Sequence, residues 1–507
     1  MIAISLALTS GIGIICGLLS NFLVRKSLKP FRENYFAKFR TGILYGVIIT
    51  LFNLNYLVGV ILSIVLSTVI YPSLGLLILL LLIPIYYTLI YIASRSIGDY
   101  LIGKSPSKPS LKTDNPLFKE GFEEVFRILE VNLNAPFGKL KHRWAMPSAK
   151  YMAAYLWDTA FISLIWKYWD TEVAGEILLP LLDNQAKDGR IPHFASFLSQ
   201  SDKTQPPLIA WAITNLDVEI QYLKEAYPKL KKYNMWLYEN RRLKSGLFFW
   251  QHSYESGIDN SPRFTDRSEK EKRDLTRIAA IDLNSYIILQ NQALITIAEK
   301  LKNKDNFVDY EEDITLFHQK NEELINLIQK NLWDEEVGLY FDFDIVEERR
   351  IKINTIASFF PLIAGIPTEE QVNKLLQHLE NPEEYNTLIP LPTVALNDTT
   401  FVKDTWRGPV WLNTAYLVIK GLERYQKYEL SQNFTSRLIK GVFETWKNEG
   451  SFYEFYDPER FDLRELTRKK GNLYKQITLG SKPVKNFVGW TGLVNTLLIE
   501  SVNRDLI

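Results

Sequence analysis

Residues Tyr254–Phe264 read YESGIDNSPRF. A loop that only turns needs some of these residues and not the others. Gly257 supplies a backbone angle that other residues avoid, and Pro262 stiffens the way out. Neither task calls for Glu255, Asp259 and Arg263 within the same few positions. The approach to the loop, GLFFWQHSYE (Gly246–Glu255), is rich in aromatic rings. Taken alone, Asp259 reads as a turn-capping aspartate. In its setting it is a candidate for a carboxylic acid held ready to give up a proton. Glu255 either orients it or lies solvated, and Arg263 is placed to pin the loop from behind.

Outward from this loop, helical periodicity dominates. Amphipathic stretches fall near 116–133, 151–169, 172–187, 206–227, 229–241, 281–303, 308–332, 353–365, 368–380, 409–426, 430–448 and 487–505. Twelve such helices pair into six hairpins. Closed into a ring, they predict an all-α fold, an (α/α)6 barrel with its loops gathered at the ends. The chemically interesting residues sit between the helices: YLWDTAF (Tyr155–Phe161), KTQPPLIAWA (Lys203–Ala212), DTWRGPVWLN (Asp404–Asn413), SFYEFYDP (Ser451–Pro458) and FVGWTGLV (Phe487–Val494). Each places an aromatic ring near a carboxylate, an amide or an arginine.

Two carboxylates, an aromatic floor and a barrel of helices suggest glycoside hydrolysis. That reaction needs one carboxylic acid to protonate the leaving oxygen and a second carboxylate beside the anomeric carbon. An apolar, aromatic setting keeps an acid protonated near neutral pH. Asp259 follows Trp250 in the aromatic approach, and Glu454 lies between Tyr453 and Phe455, so both fit. His193 and His252 lack a second histidine at metal-ligand spacing, and packing or a sugar hydrogen bond suits them better. The single cysteine, Cys16, allows no intrachain disulfide and no cysteine metal site.

The motifs WDTAF, QPP, SGIDNSPR, WRGPVW, YEFYDP and GWTGLV, in this order, resemble those of the (α/α)6-barrel glycosidases, and most nearly glycoside hydrolase family 63. The likeness covers about residues 117–507. It implies an inverting glycoside hydrolase acting on α-linked glucosides or mannosides, with no metal or organic cofactor. By the same likeness, Asp259 is the general acid and Glu454 the general base. Trp157 and Asp158 hold the terminal sugar, Gln205 hydrogen-bonds in the same subsite, Trp406, Arg407 and Trp411 wall the cleft, and Trp490 closes its floor. The β-sandwich found before the barrel in many members is absent, which favours small α-glycosides or oligosaccharides as substrates. Trehalase-like or glucan-trimming α-glucosidase activity is the alternative within the clan. A catalytically inactive carbohydrate-binding barrel is the alternative outside catalysis.

Charge and hydropathy divide the chain. With 59 Lys+Arg against 58 Asp+Glu, nothing supports nucleic-acid binding. Residues 1–96 read as a membrane anchor of about three transmembrane helices, 97–116 as a linker and 117–507 as the hydrolase domain. Met1 to Leu23 carries no charge, and Gly42 to Ser94 is a second uncharged run. As one helix the second run would be about 80 Å long against a hydrocarbon core of about 30 Å, so it is expected to fold back near Tyr71–Ser73. Contact with a lipid bilayer through residues 1–94 is therefore expected. The basic loop between the spans predicts a multi-pass integral membrane protein with its catalytic domain in the cytoplasm. A transporter is disfavoured, because these spans hold no Asp, Glu, Lys or Arg.

Overall fold

The computed structural model describes residues 106–264, 274–304, 310–469 and 480–502. Among them, 106–129 together with 138 onward form one compact unit. Glu130–Phe137 group apart from it, and there the Asn134 amide donates to the Asn132 carbonyl (2.9 Å). The main unit is built from α1 (Pro116–Val131) as far as Leu129, α2 (Leu156–Trp166), α3 (Thr171–Glu176), α4 (Leu179–Asp183), α5 (Ile209–Thr214), α6 (Ile220–Asn240), α7 (Ile281–Lys302), α8 (Glu311–Asn331), α9 (Phe360–Ala364), α10 (Glu369–Glu380), α11 (Leu412–Arg424), α12 (Tyr428–Glu449) and α13 (Leu493–Val502). Among the described residues, strands are no longer than three residues.

Six of these helices close a ring. α2 packs on α5, α5 on α7, α7 on α9, α9 on α11, α11 on α13, and α13 back on α2. A helix with neighbours on both flanks and others behind it has no solvated face, and its sequence shows this. All eleven residues of α2 are buried. α7 buries Asp282, Asn284, Ser285, Gln290 and Asn291 as well as its apolar residues. The outer helices are one-sided. α10 buries Gln371, Val372, Leu375 and Leu379, and α8 buries Phe317, Leu324 and Ile328. α6 and α8 cover α7, and α12 covers α11 and α13. The ring is the expected all-α barrel.

Several boundaries differ from expectation, two of them instructively. Sequence periodicity places a helix break at Pro228, but α6 runs through that proline from Ile220 to Asn240. The break falls instead between Thr214 and Ile220. Proline in a helix interior forfeits one backbone hydrogen bond. Burial of Leu223, Ala226, Tyr227, Leu230, Tyr233 and Leu237 on the same helix offsets that loss. The helix expected from residue 487 begins at Leu493, because Phe487 and Trp490 are spent on the wall of a cavity.

The expected localisation is corrected. No helix among the described residues is long and apolar enough to cross a membrane. The longest, α7 and α12 with 22 residues each, could span about 30 Å. They carry Asp282, Glu299, Lys300 and Lys302, and Glu429, Arg437, Lys440, Glu444 and Lys447, so neither could lie in hydrocarbon. The expected transmembrane helices, and with them the bilayer contact through residues 1–94, fall outside the described residues.

Candidate active site

Four helices of the ring, α2, α5, α11 and α13, bring their N-terminal ends to a common place. Trp157 and Asp158 lie in the first turn of α2. Gln205 precedes α5, Trp411 is the residue just before α11, and Trp490 comes shortly before α13. The partial positive charge of a helix N-terminus suits a site rich in carboxylates. These side chains enclose a cavity of about 290 Å³. Of the residues expected from sequence, Trp157, Asp158, Gln205, Asp259, Trp406, Trp411, Glu454 and Trp490 line it. Arg407 does not. Its backbone closes the preceding turn, with its N–H donating to Asp404 O (3.0 Å) and its carbonyl accepting from Val402 N (2.8 Å).

Four tryptophans form one wall. Trp406 and Trp411 stack with centroids 3.5 Å apart. Trp157 meets Trp406 and Trp490 at 5.8 and 5.7 Å, and Trp411 meets Trp490 at 5.3 Å. Offset and edge contacts of this kind fix ring planes beyond what burial alone does. The indole N–H of Trp411 donates to Thr405 O (2.9 Å) and that of Trp490 to Glu454 O (2.8 Å). The result is a rigid apolar surface with a carboxylate at its edge.

The Tyr254–Phe264 loop is fixed from three sides. Glu255, 1% exposed, takes a forked pair of hydrogen bonds from Arg241 (2.9 and 2.7 Å) and a third from Gln251 N (3.1 Å). It is neither solvated nor turned to Asp259. Arg263 sits behind the loop as expected, donating to Asp342 (2.8 Å) and Asp282 (2.5 Å), both fully buried. Asn260 ties the loop to the DTWRG segment: its amide donates to Thr405 Oγ1 (2.5 Å) and Asp404 Oδ2 (3.2 Å), and its oxygen accepts from Trp406 N (3.0 Å). Gly257 has φ +74°, and a Cβ on it would lie 2.4 Å from Trp157 Cζ2. The loop therefore rests directly on the tryptophan wall, with Asp259 held half-buried over the cavity.

Glu454 is 2% exposed. Its Oε1 accepts from Arg468 Nε (2.7 Å) and Val484 N (3.1 Å), and its Oε2 accepts from the Tyr151 hydroxyl (3.1 Å). Arg468 Nη2 also donates to the Tyr151 oxygen (2.8 Å). Burial lowers the affinity of the Arg468 guanidinium for its proton, but Glu454 and Tyr151 more than reverse this and hold it above its ordinary value. Burial pushes the Tyr151 hydroxyl well above the ordinary tyrosine range, with Glu454 adding to it. Burial does the same to Tyr155, and there Asp158 and Asp259 add to it. Both tyrosines thus stay protonated donors among the carboxylates.

Tyr151, Tyr155 and Arg468 were not among the residues expected from sequence. Tyr155 is placed by the short antiparallel pairing of Ala154–Tyr155 with Phe194–Ala195, which also brings His193 to the cavity. His252 serves the loop, its Nδ1 accepting from Tyr254 N (3.1 Å).

A closed ring of helices that cups three acidic side chains and four indoles at one end is the architecture of a sugar-processing hydrolase. Residues 151–467 match the family described as the mannosylglycerate hydrolase MGH1-like glycoside hydrolase domain. The chain belongs to this family, within glycoside hydrolase family 63, and is a glycoside hydrolase. It is 27% identical over 381 residues to mannosylglycerate hydrolase of Thermus thermophilus, covering 61% of this chain and 89% of that one. It is 23% identical over 446 residues to a mannosyl-oligosaccharide glucosidase of Arabidopsis thaliana, covering 70% of this chain and 49% of the other. A crystal structure of the family 63 mannosylglycerate hydrolase of Thermus thermophilus with glucose bound superposes with a TM-score of 0.57 at 26% identity, over 74% of this chain and 98% of that one.

Proposed function

We propose that this chain hydrolyses small α-linked glucosides or mannosides with inversion at the anomeric carbon, and that residues 117–507 are the domain responsible. One observation carries the reading: Asp259 and Glu454, far apart in the chain, line one cavity walled by tryptophan. In the proposed reaction Asp259 protonates the glycosidic oxygen. Glu454 takes a proton from the water that attacks the anomeric carbon. Trp157 and Trp490 pack on the apolar face of the sugar, and Asp158 and Gln205 bind its hydroxyls. Trp406 and Trp411 wall the cleft. The solved relative with glucose bound and the mannosylglycerate hydrolase among the relatives support the proposed substrate class.

The test follows hydrolysis of mannosylglycerate, glucosylglycerate, trehalose and short α-glucans by proton NMR, using the full chain beside Asp259→Asn and Glu454→Gln. The expected result is first-formed β-sugar from an α-glycoside, with turnover reduced at least about 100-fold in either variant. Retained configuration, or variants as active as the wild type, would overturn the assignment.

A further inference from the structure

We infer that Arg468 and Tyr151 are positioning residues for the attacking side of the reaction, and that together they select Oε2 of Glu454 as the atom that takes the proton from water. The inference rests on the general-base role proposed for Glu454 and adds to it two residues and one atom. The two carboxylate oxygens are not equivalent. Oε1 accepts two hydrogen bonds, one of them a short, charge-assisted bond from Arg468 Nε (2.7 Å) and the other from Val484 N (3.1 Å). Oε2 accepts one, at 3.1 Å, from the Tyr151 hydroxyl. An oxygen with both lone-pair directions filled has nothing left for a water proton, so the capacity remaining to Glu454 lies on Oε2. Tyr151 and Arg468 both line the cavity, and Tyr151 Oη is itself held by Arg468 Nη2 (2.8 Å). One guanidinium therefore holds both the carboxylate, through Nε, and the hydroxyl that meets its other oxygen, through Nη2, and it does so as a planar fork that a lysine cannot reproduce.

Arg468 is in turn linked through its neighbours to the loop that carries Asp259. Its N–H donates to Ser481 O (2.8 Å), and the neighbouring Thr467 donates its hydroxyl to Asp404 Oδ1 (2.9 Å). The other oxygen of Asp404 accepts from Asn260, next to Asp259. The acid and the base are thereby set in one hydrogen-bonded frame. In the step proposed, the water oxygen bonds to the anomeric carbon as one water proton passes to Glu454 Oε2. The bond from that carbon to the aglycone oxygen breaks, its electron pair stays with the oxygen, and the oxygen takes the proton of Asp259.

Glycosyl fluorides test the attacking side alone, because fluoride leaves without an acid. Fluoride release from α-D-glucosyl and α-D-mannosyl fluoride is measured as a function of pH for the full chain and for Arg468→Met, Arg468→Lys, Tyr151→Phe and Glu454→Gln. Arg468→Met is expected to lose about 100-fold in kcat, with KM little changed and the acidic limb of the profile moved to higher pH. Arg468→Lys restores the charge and returns the limb toward its wild-type position. Tyr151→Phe loses about tenfold in kcat, as for one hydrogen bond of ordinary strength. Wild-type kcat and an unmoved pH profile in a folded Arg468→Met would overturn the inference. If that variant does not fold, an unmoved kcat in both Arg468→Lys and Tyr151→Phe would overturn it equally. A fully active Glu454→Gln, or no fluoride release by the wild type from either compound, overturns instead the general-base reading beneath it.

Discussion

Alanine at position 257 would set the proposed acid loop against the tryptophan wall. The Cβ it adds lies 2.4, 2.6 and 2.7 Å from Cζ2, Cε2 and Cη2 of Trp157. Carbon atoms settle at about 3.5 Å or more, so the shortfall is roughly 1 Å. Trp157 is 1% exposed and hemmed in by Trp406 and Trp490, so the loop must yield rather than the ring. A side chain at φ +74° costs about 1–2 kcal/mol on its own, and forcing a methyl group into a filled core costs about 1–3 kcal/mol more. The expected loss is therefore about 2–5 kcal/mol. Gly450→Ala separates the two contributions. Its φ is +68° and nothing lies within 4 Å of its added Cβ, so only the backbone cost of about 1–2 kcal/mol applies. Urea denaturation of both variants gives the difference, and hydrolysis of the α-glycoside gives the consequence. Because Asp259 is two residues away, a loop displacement of about 1 Å is expected to lower kcat about 100-fold. A Gly257→Ala protein no less stable than Gly450→Ala, and as active as the wild type, would refute the close packing of this loop on Trp157.

Arg263→Met leaves Asp282 and Asp342 buried without their cation and is expected to cost about 3–5 kcal/mol; a loss below about 1 kcal/mol in urea denaturation would show that the pair is not held as described. The His378–Glu384 contact (2.7 Å) predicts a pH-dependent contribution to stability. Burial opposes charge on His378, but Glu384 and the Val337 carbonyl raise its affinity for a proton above the ordinary value, while burial of Glu384 is outweighed by His378 and the amides of Asn354 and Asn381, which hold that carboxyl low. The histidine's contribution is complete below about pH 6.5 and disappears as the pH rises through its raised value; that of Glu384 is complete above about pH 4.3 and disappears as the pH falls through its lowered value. Thermal denaturation of His378→Gln should accordingly show a larger deficit at pH 5.5 than at pH 9, and an equal deficit at both would refute the coupling.

The inner and outer helices differ in what their sequences disclose. α8 and α10 show one-sided burial, which any periodicity reveals. α2 has no polar face, so its limits had to come from neighbours, and the start expected at residue 151 lies five residues too early. Residues 151–155 serve the cavity through Tyr151 and Tyr155 instead. The residues brought to the cavity were largely legible because they cluster in short motifs of unusual composition. Arg468 was not, since it lies in RELTRKK, where a run of charges reads as solvated surface and nothing local marks the one side chain that is 2% exposed. Tyr151 meets Glu454 across 303 residues, a proximity that only the closed ring creates. Arg407, next to Trp406 in sequence, is not among the residues that line the cavity, since adjacency in the chain does not by itself bring two side chains to one place.

Closure of the ring also has a consequence for the order of events during synthesis. α2 is made early, yet one of its flanks is covered by α13, where the Thr496 hydroxyl reaches the Leu164 carbonyl across 332 residues and Asn495 reaches the Phe122 carbonyl across 373. Contacts of such separation form late. A nascent chain emerging at about 5–20 residues per second exposes the unpaired side of α2 for tens of seconds before its partner exists. Trp490 arrives with that same last segment. The tryptophan-walled cavity is thus a product of the final stage of folding, and a chain interrupted before residue 490 would carry most of the helices and an incomplete cavity.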